Sequence, residues 1–152
     1  LLSQITVSGI ILTGGGNLAA YGGNTPERDA VELYLINLAK KKRINLLGVC
    51  RGMQAIQHEM GVKLNQIQGH VKSKQEIEIS GTRQWVNSYH DFGCRDTVDA
   101  LAVWGKSDDG TVKAVRHQTE PIWGIMWHPE RILPARKADI SLLKKLFSSR
   151  EE

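Results

Sequence analysis

The sequence predicts an α/β fold, a three-layer sandwich built on a mostly parallel central sheet, with antiparallel strands in the C-terminal half. Three observations predict it. Apolar runs at residues 5–12 and 44–49 each end in a glycine-bearing turn, and a helical pattern follows each turn. Five further short strand-like runs follow, at 74–80, 85–90, 100–104, 112–115 and 122–127. The turn signal Ser107-Asp108-Asp109-Gly110 marks the third and fourth of these as an antiparallel pair. At 152 residues, 41% hydrophobic and 24% charged, the chain suits one domain, 1–152, with a sizeable core.

The first run leads into Thr13-Gly14-Gly15-Gly16-Asn17, where glycines permit unusual backbone angles and close approach of a ligand. Gly14, Gly16 and Ala19 match a loose dinucleotide fingerprint. That fingerprint requires a helix to open at once, whereas Tyr21-Gly22-Gly23-Asn24 continues the loop, so a dinucleotide is set aside. Thr25 as N-cap and Pro26 at the first helical position start a helix, and Glu27 and Asp29 add favourable charge there. Val31, Tyr34 or Leu35, and Leu38 form its expected apolar stripe. The basic run at 40–43 closes it, where cations complement the helix dipole.

The strand at 44–49 ends in Gly48-Val49-Cys50-Arg51-Gly52, and Met53, Ile56 and Met60 then recur on one helical side. A strand turning sharply into a helix lifts the residue at the turn toward a pocket, and here that residue is a cysteine. A buried cysteine is ordinarily a small hydrophobe, but that default does not account for Gly48 and Gly52 flanking it at −2 and +2. In parallel sheets ligands bind beyond the carboxyl ends of the strands, so the triple glycine and Cys50 are expected to face one crevice. Ile77 and Ile79 share a face of the strand at 74–80, and a last helix at 139–148 is expected to bury Ile140, Leu143 and Phe147.

Several classes are excluded. No run of about 18 apolar residues exists, so a membrane span is not expected, and no secretory signal is visible. Cys50 and Cys94 do not make a disulfide framework, which points to a reduced, cytoplasmic protein. The net charge of +4 comes from scattered residues, which argues against a nucleic-acid partner.

A cysteine nucleophile needs a base, because a free thiol is mostly protonated at neutral pH, and the base needs an orienting carboxylate. Of His58, His70, His90, His117 and His128, only His128 combines a strand carboxyl end with a nearby carboxylate, Glu130, across the stiff Pro129.

These residues carry a family resemblance. Gly48-Val49-Cys50-Arg51-Gly52-Met53-Gln54 resembles the G-x-C-x-G-x-Q elbow of class I glutamine amidotransferases, and His128-Pro129-Glu130 resembles their H-x-E pair. The glycine loop and Val86-Asn87-Ser88-Tyr89-His90 are similar to the family's substrate-pocket segments, and all four occur in family order. The resemblance implies a flavodoxin-like fold and a triad of Cys50, His128 and Glu130. It also implies an oxyanion hole from the amides of Arg51 and Gly16, and contacts to the glutamyl group from Gly15, Gln54, Ser88, Tyr89 and His90. No cofactor and no metal are implied.

Arg51 and the His-Pro-Glu-Arg ending resemble the γ-glutamyl hydrolase branch, such as γ-glutamyl-γ-aminobutyrate hydrolases, including hydrolases that act on intermediates of surface-polysaccharide modification. The implied activity is hydrolysis of a γ-glutamyl amide, or of glutamine, with release of glutamate and an amine or ammonia. A glutaminase subunit feeding a synthase partner is the alternative within the same chemistry, and a non-catalytic binding or regulatory domain is the alternative outside it. The resemblance also implies one or two N-terminal strands that the covered residues lack, since an open sheet edge would expose apolar surface.

Overall fold

A computed structural model describes residues 7–148. In chain order the elements are β1 (Gly9–Leu12), α1 (Pro26–Lys42), β2 (Asn45–Val49), α2 (Arg51–Glu59), β3 (Asn65–Gln66), β4 (Val71–Ile79), β5 (Thr82–Tyr89), β6 (Phe92–Gly93), β7 (Leu101–Ser107), β8 (Val112–His117), β9 (Ile122–Ile125) and α3 (Lys137–Phe147). Seven strands form one sheet in the order β1-β2-β9-β8-β7-β4-β5, and β3 pairs with β6 apart from it. Of the strand expected at 5–12, Ile5 and Thr6 lie outside the described residues.

The mostly parallel three-layer sandwich is corrected. Only the β1–β2 and β2–β9 pairings are parallel. The β9–β8, β8–β7, β7–β4 and β4–β5 pairings are antiparallel, so the molecule is a curled, largely antiparallel sheet flanked by three helices. The physical reason lies in the connections. A parallel neighbour needs a long crossover such as α1, whereas tight turns can join only antiparallel strands. Register shifts within β4 and β7 mark bulges, which bend strands and increase twist. The helices pack chiefly on β1, β2 and β9, so the layered arrangement read from the first half of the chain does not extend across the sheet.

Two helix faces also differ from expectation. In α1, Val31 and Tyr34 are exposed, and Glu32, Ile36 and Ala39 form the buried face instead. Of the expected stripe, Leu35 and Leu38 are half-buried and Leu35 packs on the core, but periodicity missed that the inner face also carries a carboxylate whose partner comes from another element. In α3, Ile140 is exposed, while Asp139 and Leu146 are buried and Leu143 and Phe147 are half-buried. Trp127 Nε1 donates to Asp139 Oδ1 at 3.0 Å, which explains why an acid turns inward. Met53 and Ile56 are fully buried beneath α2, as their spacing predicts.

The parallel strands position the functional region. In register, Leu12 of β1 lies opposite Gly48, and Val49 of β2 lies opposite Ile125 of β9. Three chain segments therefore leave the sheet at one level and on one side: the glycine loop, Cys50, and residues 126–130. Among the described residues no helix is long and apolar enough to cross a membrane.

Candidate active site

Cys50 occupies the junction of β2 and α2 with φ 50° and ψ −102°, backbone angles that a non-glycine residue rarely adopts. Its amide donates to Ile125 O at 2.8 Å, and its carbonyl accepts from the Gln54 amide at 3.0 Å. Together these bonds tie the strained residue to β9 and to the first turn of α2. The flanking glycines are required by contact. A Cβ on Gly48 would lie 2.5 Å from the Gly52 carbonyl oxygen, and one on Gly52 would lie 2.4 Å from Leu12 O.

The Cys50 side chain is buried, with Sγ 3.9 Å from the Tyr89 carbonyl oxygen. Burial pushes the thiol up to about 11, against the Arg51 amide and the charges of Arg131 and Lys113, which pull it down. The resting group is therefore a neutral thiol.

His128 follows β9 and is buried. The side-chain amide of Asn87, on β5, brackets its backbone: Nδ2 donates to His128 O at 2.9 Å, and Oδ1 accepts from His128 N at 2.7 Å. His128 Nδ1 lies 2.7 Å from Glu130 Oε1. A carboxylate accepts, so Nδ1 carries the proton and Nε2 is left as the basic atom. Among the described residues Nε2 is buried without a hydrogen-bond partner, and Cys50 Sγ reaches the Tyr89 carbonyl instead. Gly14 lies against the imidazole so closely that a Cβ there would come within 2.5 Å of His128 Cε1.

The other expected residues fall into two groups. Gln54 is buried one turn along α2, and its Nε2 donates to Phe92 O at 3.1 Å. Gly15 and Gly16 have positive φ, 103° and 70°, and are exposed at the loop. Ser88 and His90 are buried and already engaged. Ser88 Oγ donates to His70 O at 2.7 Å and accepts from Lys113 Nζ at 3.0 Å. His90 Nδ1 donates to Phe92 O at 2.9 Å, and its Nε2 faces Lys113 Nζ at 2.7 Å. Burial and the Lys113 charge bring His90 down to about 3, so it stays neutral with both ring nitrogens committed. Tyr89 meets the His128 ring edge-on, and the Arg131 guanidinium lies 5.0 Å over its ring.

Sequence reasoning missed three features. The first is Lys113, 1% exposed, which burial lowers to about 7. The second is the group behind it: His70, whose Nε2 lies 3.0 Å from Asp109 Oδ2, together with Thr111. Neither carries a motif. The available signal is that a lysine interrupts the apolar run of β8, which reads as a solvent-facing position until β8 is known to lie between β7 and β9. The third is the Arg51 side chain, fully buried and ion-paired with Glu32 and Asp29 of α1.

A cavity of ≈ 500 Å³ is lined by Gly14, Gly15, His128 and Glu130 together with apolar Leu47 and Leu143. A larger one of ≈ 810 Å³, beside Cys94 and Arg95, has none of the expected site residues in its lining. Neither of these two cavities has Cys50 in its lining. Among the described residues no cluster of three or more His, Cys, Asp or Glu side chains is placed to hold a metal ion.

A family model described as Glutamine amidotransferase class-I matches residues 2–147. The chain is 33% identical over 144 residues to γ-glutamyl-CDP-amidate hydrolase of Campylobacter jejuni, covering 93% of this chain and 70% of that one. It is 30% identical over 135 residues to γ-glutamyl-γ-aminobutyrate hydrolase of Escherichia coli O157:H7, covering 69% of this chain and 53% of that one. The chain thus spans between about half and about seven tenths of these relatives. Among solved structures it is similar to a Thermoplasma acidophilum protein provisionally named as a GMP synthase A subunit. That match has a TM-score of 0.74 and 16% identity and covers 95% of this chain and 79% of the other.

Proposed function

Because the chain belongs to the class I glutamine amidotransferase family and is related to its γ-glutamyl hydrolase branch, we propose that it hydrolyses a γ-glutamyl amide through a thioester on Cys50. The observation that carries this reading is the pairing of a strained cysteine at the end of β2 with a His–carboxylate couple beyond the adjacent β9.

His128 Nε2 takes the thiol proton as Sγ attacks the amide carbon, and the carbonyl π pair moves to oxygen. The amides of Arg51 and Gly16 hold that oxyanion. Collapse of the tetrahedral species breaks the C–N bond, and His128 returns the proton to the departing amine. The imidazole then deprotonates water, which attacks the thioester and releases glutamate and the free thiol. Glu130 keeps Nδ1 protonated throughout. Gly15, Gln54 and the segment Ser88-Tyr89-His90 form the pocket for the glutamyl group. Burial holds the Cys50 thiol up, so the proton is still on sulfur when His128 is called on to take it. Cys50 and Cys94 are both free thiols, which suits a cytoplasmic setting.

The names of the two curated relatives favour a hydrolase over a glutaminase that feeds a synthase. The test is glutamate release from glutamine and from a panel of γ-glutamyl amides, using purified protein alone. Turnover of substituted amides without any partner is expected. Turnover of glutamine only after a synthase is added would defeat the proposal.

A further inference from the structure

The glycine loop is held by a side chain that no motif points to. Arg28 Nη2 donates to Thr13 O at 2.8 Å and to Gly14 O at 3.0 Å, and Nη1 donates to Gly15 O at 3.0 Å. Three consecutive carbonyls thus converge on one guanidinium. In a trans peptide the carbonyl of one residue and the amide of the next point in opposite directions. The amides of Gly14, Gly15 and Gly16 are therefore turned away from Arg28. Among the described residues, those of Gly15 and Gly16 donate to no protein acceptor. Carbonyls gathered on one side and free amides on the other make an anion-binding concavity.

Arg28 is itself fixed. Its Nε donates to Glu32 Oε1 at 2.9 Å, and Glu32 Oε2 accepts from Arg51, the residue after Cys50. Arg51 also pairs with Asp29, whose other oxygen accepts from the Ala19 amide at 2.7 Å, beyond the far end of the loop. One charge network thereby spans the start of the loop, its end and the cysteine turn.

We infer that Arg28 is a positioning residue that locks the peptide planes of residues 13–16, so that the oxyanion site is formed before substrate arrives and needs no partner chain to complete it. This rests on the hydrolase reading above and explains how such an enzyme works unaided.

The test separates oxyanion stabilisation from thiol reactivity. The aldehyde analogue of glutamine adds to the Cys50 thiol: an S–C bond forms, the thiol proton passes to His128 Nε2, the C=O π pair moves to oxygen, and that oxygen occupies the proposed hole. Iodoacetamide alkylates the same sulfur with loss of iodide and makes no oxyanion. Arg28→Ala is expected to weaken aldehyde binding and lower kcat by about 10- to 100-fold, with little change in KM. Its alkylation rate should stay within about twofold of the parent, since the alkylation step makes no oxyanion. Arg28→Lys is expected to fall between the two, because one ammonium does not reproduce a planar fork reaching three carbonyls; it carries the test if Arg28→Ala does not fold. Parent-like aldehyde affinity in the variants, or equal losses in both reactions, would overturn the inference. A parent protein inert to both reagents would instead overturn the hydrolase reading on which it rests.

Discussion

Two buried cations, Arg51 beside Cys50 and Lys113 on β8, are satisfied in opposite ways. Arg51, on the parallel side of the sheet, is fully buried against two carboxylates of α1, Glu32 and Asp29. Lys113, on the antiparallel side, is equally buried, but its hydrogen bonds go to neutral partners, the Ser88 hydroxyl and the His90 ring. A guanidinium stays charged, so its pocket must contain counter-charge. An ammonium can instead shed its proton, and burial brings Lys113 down to about 7. The parallel side therefore holds the turn bearing Cys50 by fixed charge. The antiparallel side backs the proposed substrate pocket with a group whose charge depends on pH.

The contrast breaks most sharply under substitution. Arg51→Met leaves Glu32 and Asp29 facing a neutral side chain in a buried site. It should destabilise the protein by about 3 kcal/mol, the low end for a broken buried pair because Arg28 still contacts Glu32. Lys113→Met removes a buried ammonium that has no carboxylate partner, and it should be neutral or stabilising by about 1 kcal/mol. Urea unfolding of both variants measures the difference. Equal losses would show that Lys113 is a structural cation like Arg51.

A smaller, pH-dependent effect sharpens the same point. The Lys113 amine lies near 7 in the folded protein and at 10.5 ordinarily. Below pH 7 both folded and unfolded states carry the proton, and the full cost of burying it is present. Between pH 7 and 10.5 the unfolded chain holds a proton that the folded chain has lost, so stability rises with pH across that window. The parent should gain about 2 kcal/mol over Lys113→Met between pH 7 and 9, bounded by about 1.4 kcal/mol per unit. Denaturant midpoints of the two proteins at these pH values supply the measurement, and parallel pH profiles would contradict it.

The same division governs what was legible in the sequence. The parallel side was readable because its constraints are local. Gly48 is needed by its contact with Gly52 across the Cys50 turn, and His128 and Glu130 are joined across a single proline, although Gly52 itself is needed by Leu12 of β1. Thr25 and Pro26 also start α1 where the spacing predicts, although Thr25 makes no side-chain capping bond. The antiparallel side was not readable because its constraints are long-range. His70 meets Asp109, and Lys113 meets Ser88 and His90, only once β4, β5 and β8 are assembled. The inner face of α1 was misread for the same reason, since Glu32 turns inward to meet the buried Arg51, nineteen residues on, as well as Arg28 one turn back. The parallel sheet was over-extended because the first fifty residues do alternate strand and helix, and nothing local announces that the later hairpins join the same sheet.

The central claim is that Cys50 carries the acyl group. The most direct measurement is peptide-resolved mass spectrometry of the protein, acid-quenched during turnover of a γ-glutamyl amide, beside Cys50→Ala treated identically. The account predicts a γ-glutamyl adduct on the peptide bearing Cys50 and none in the variant. A protein that turns over substrate with no adduct, or with the adduct on Cys94, would contradict it.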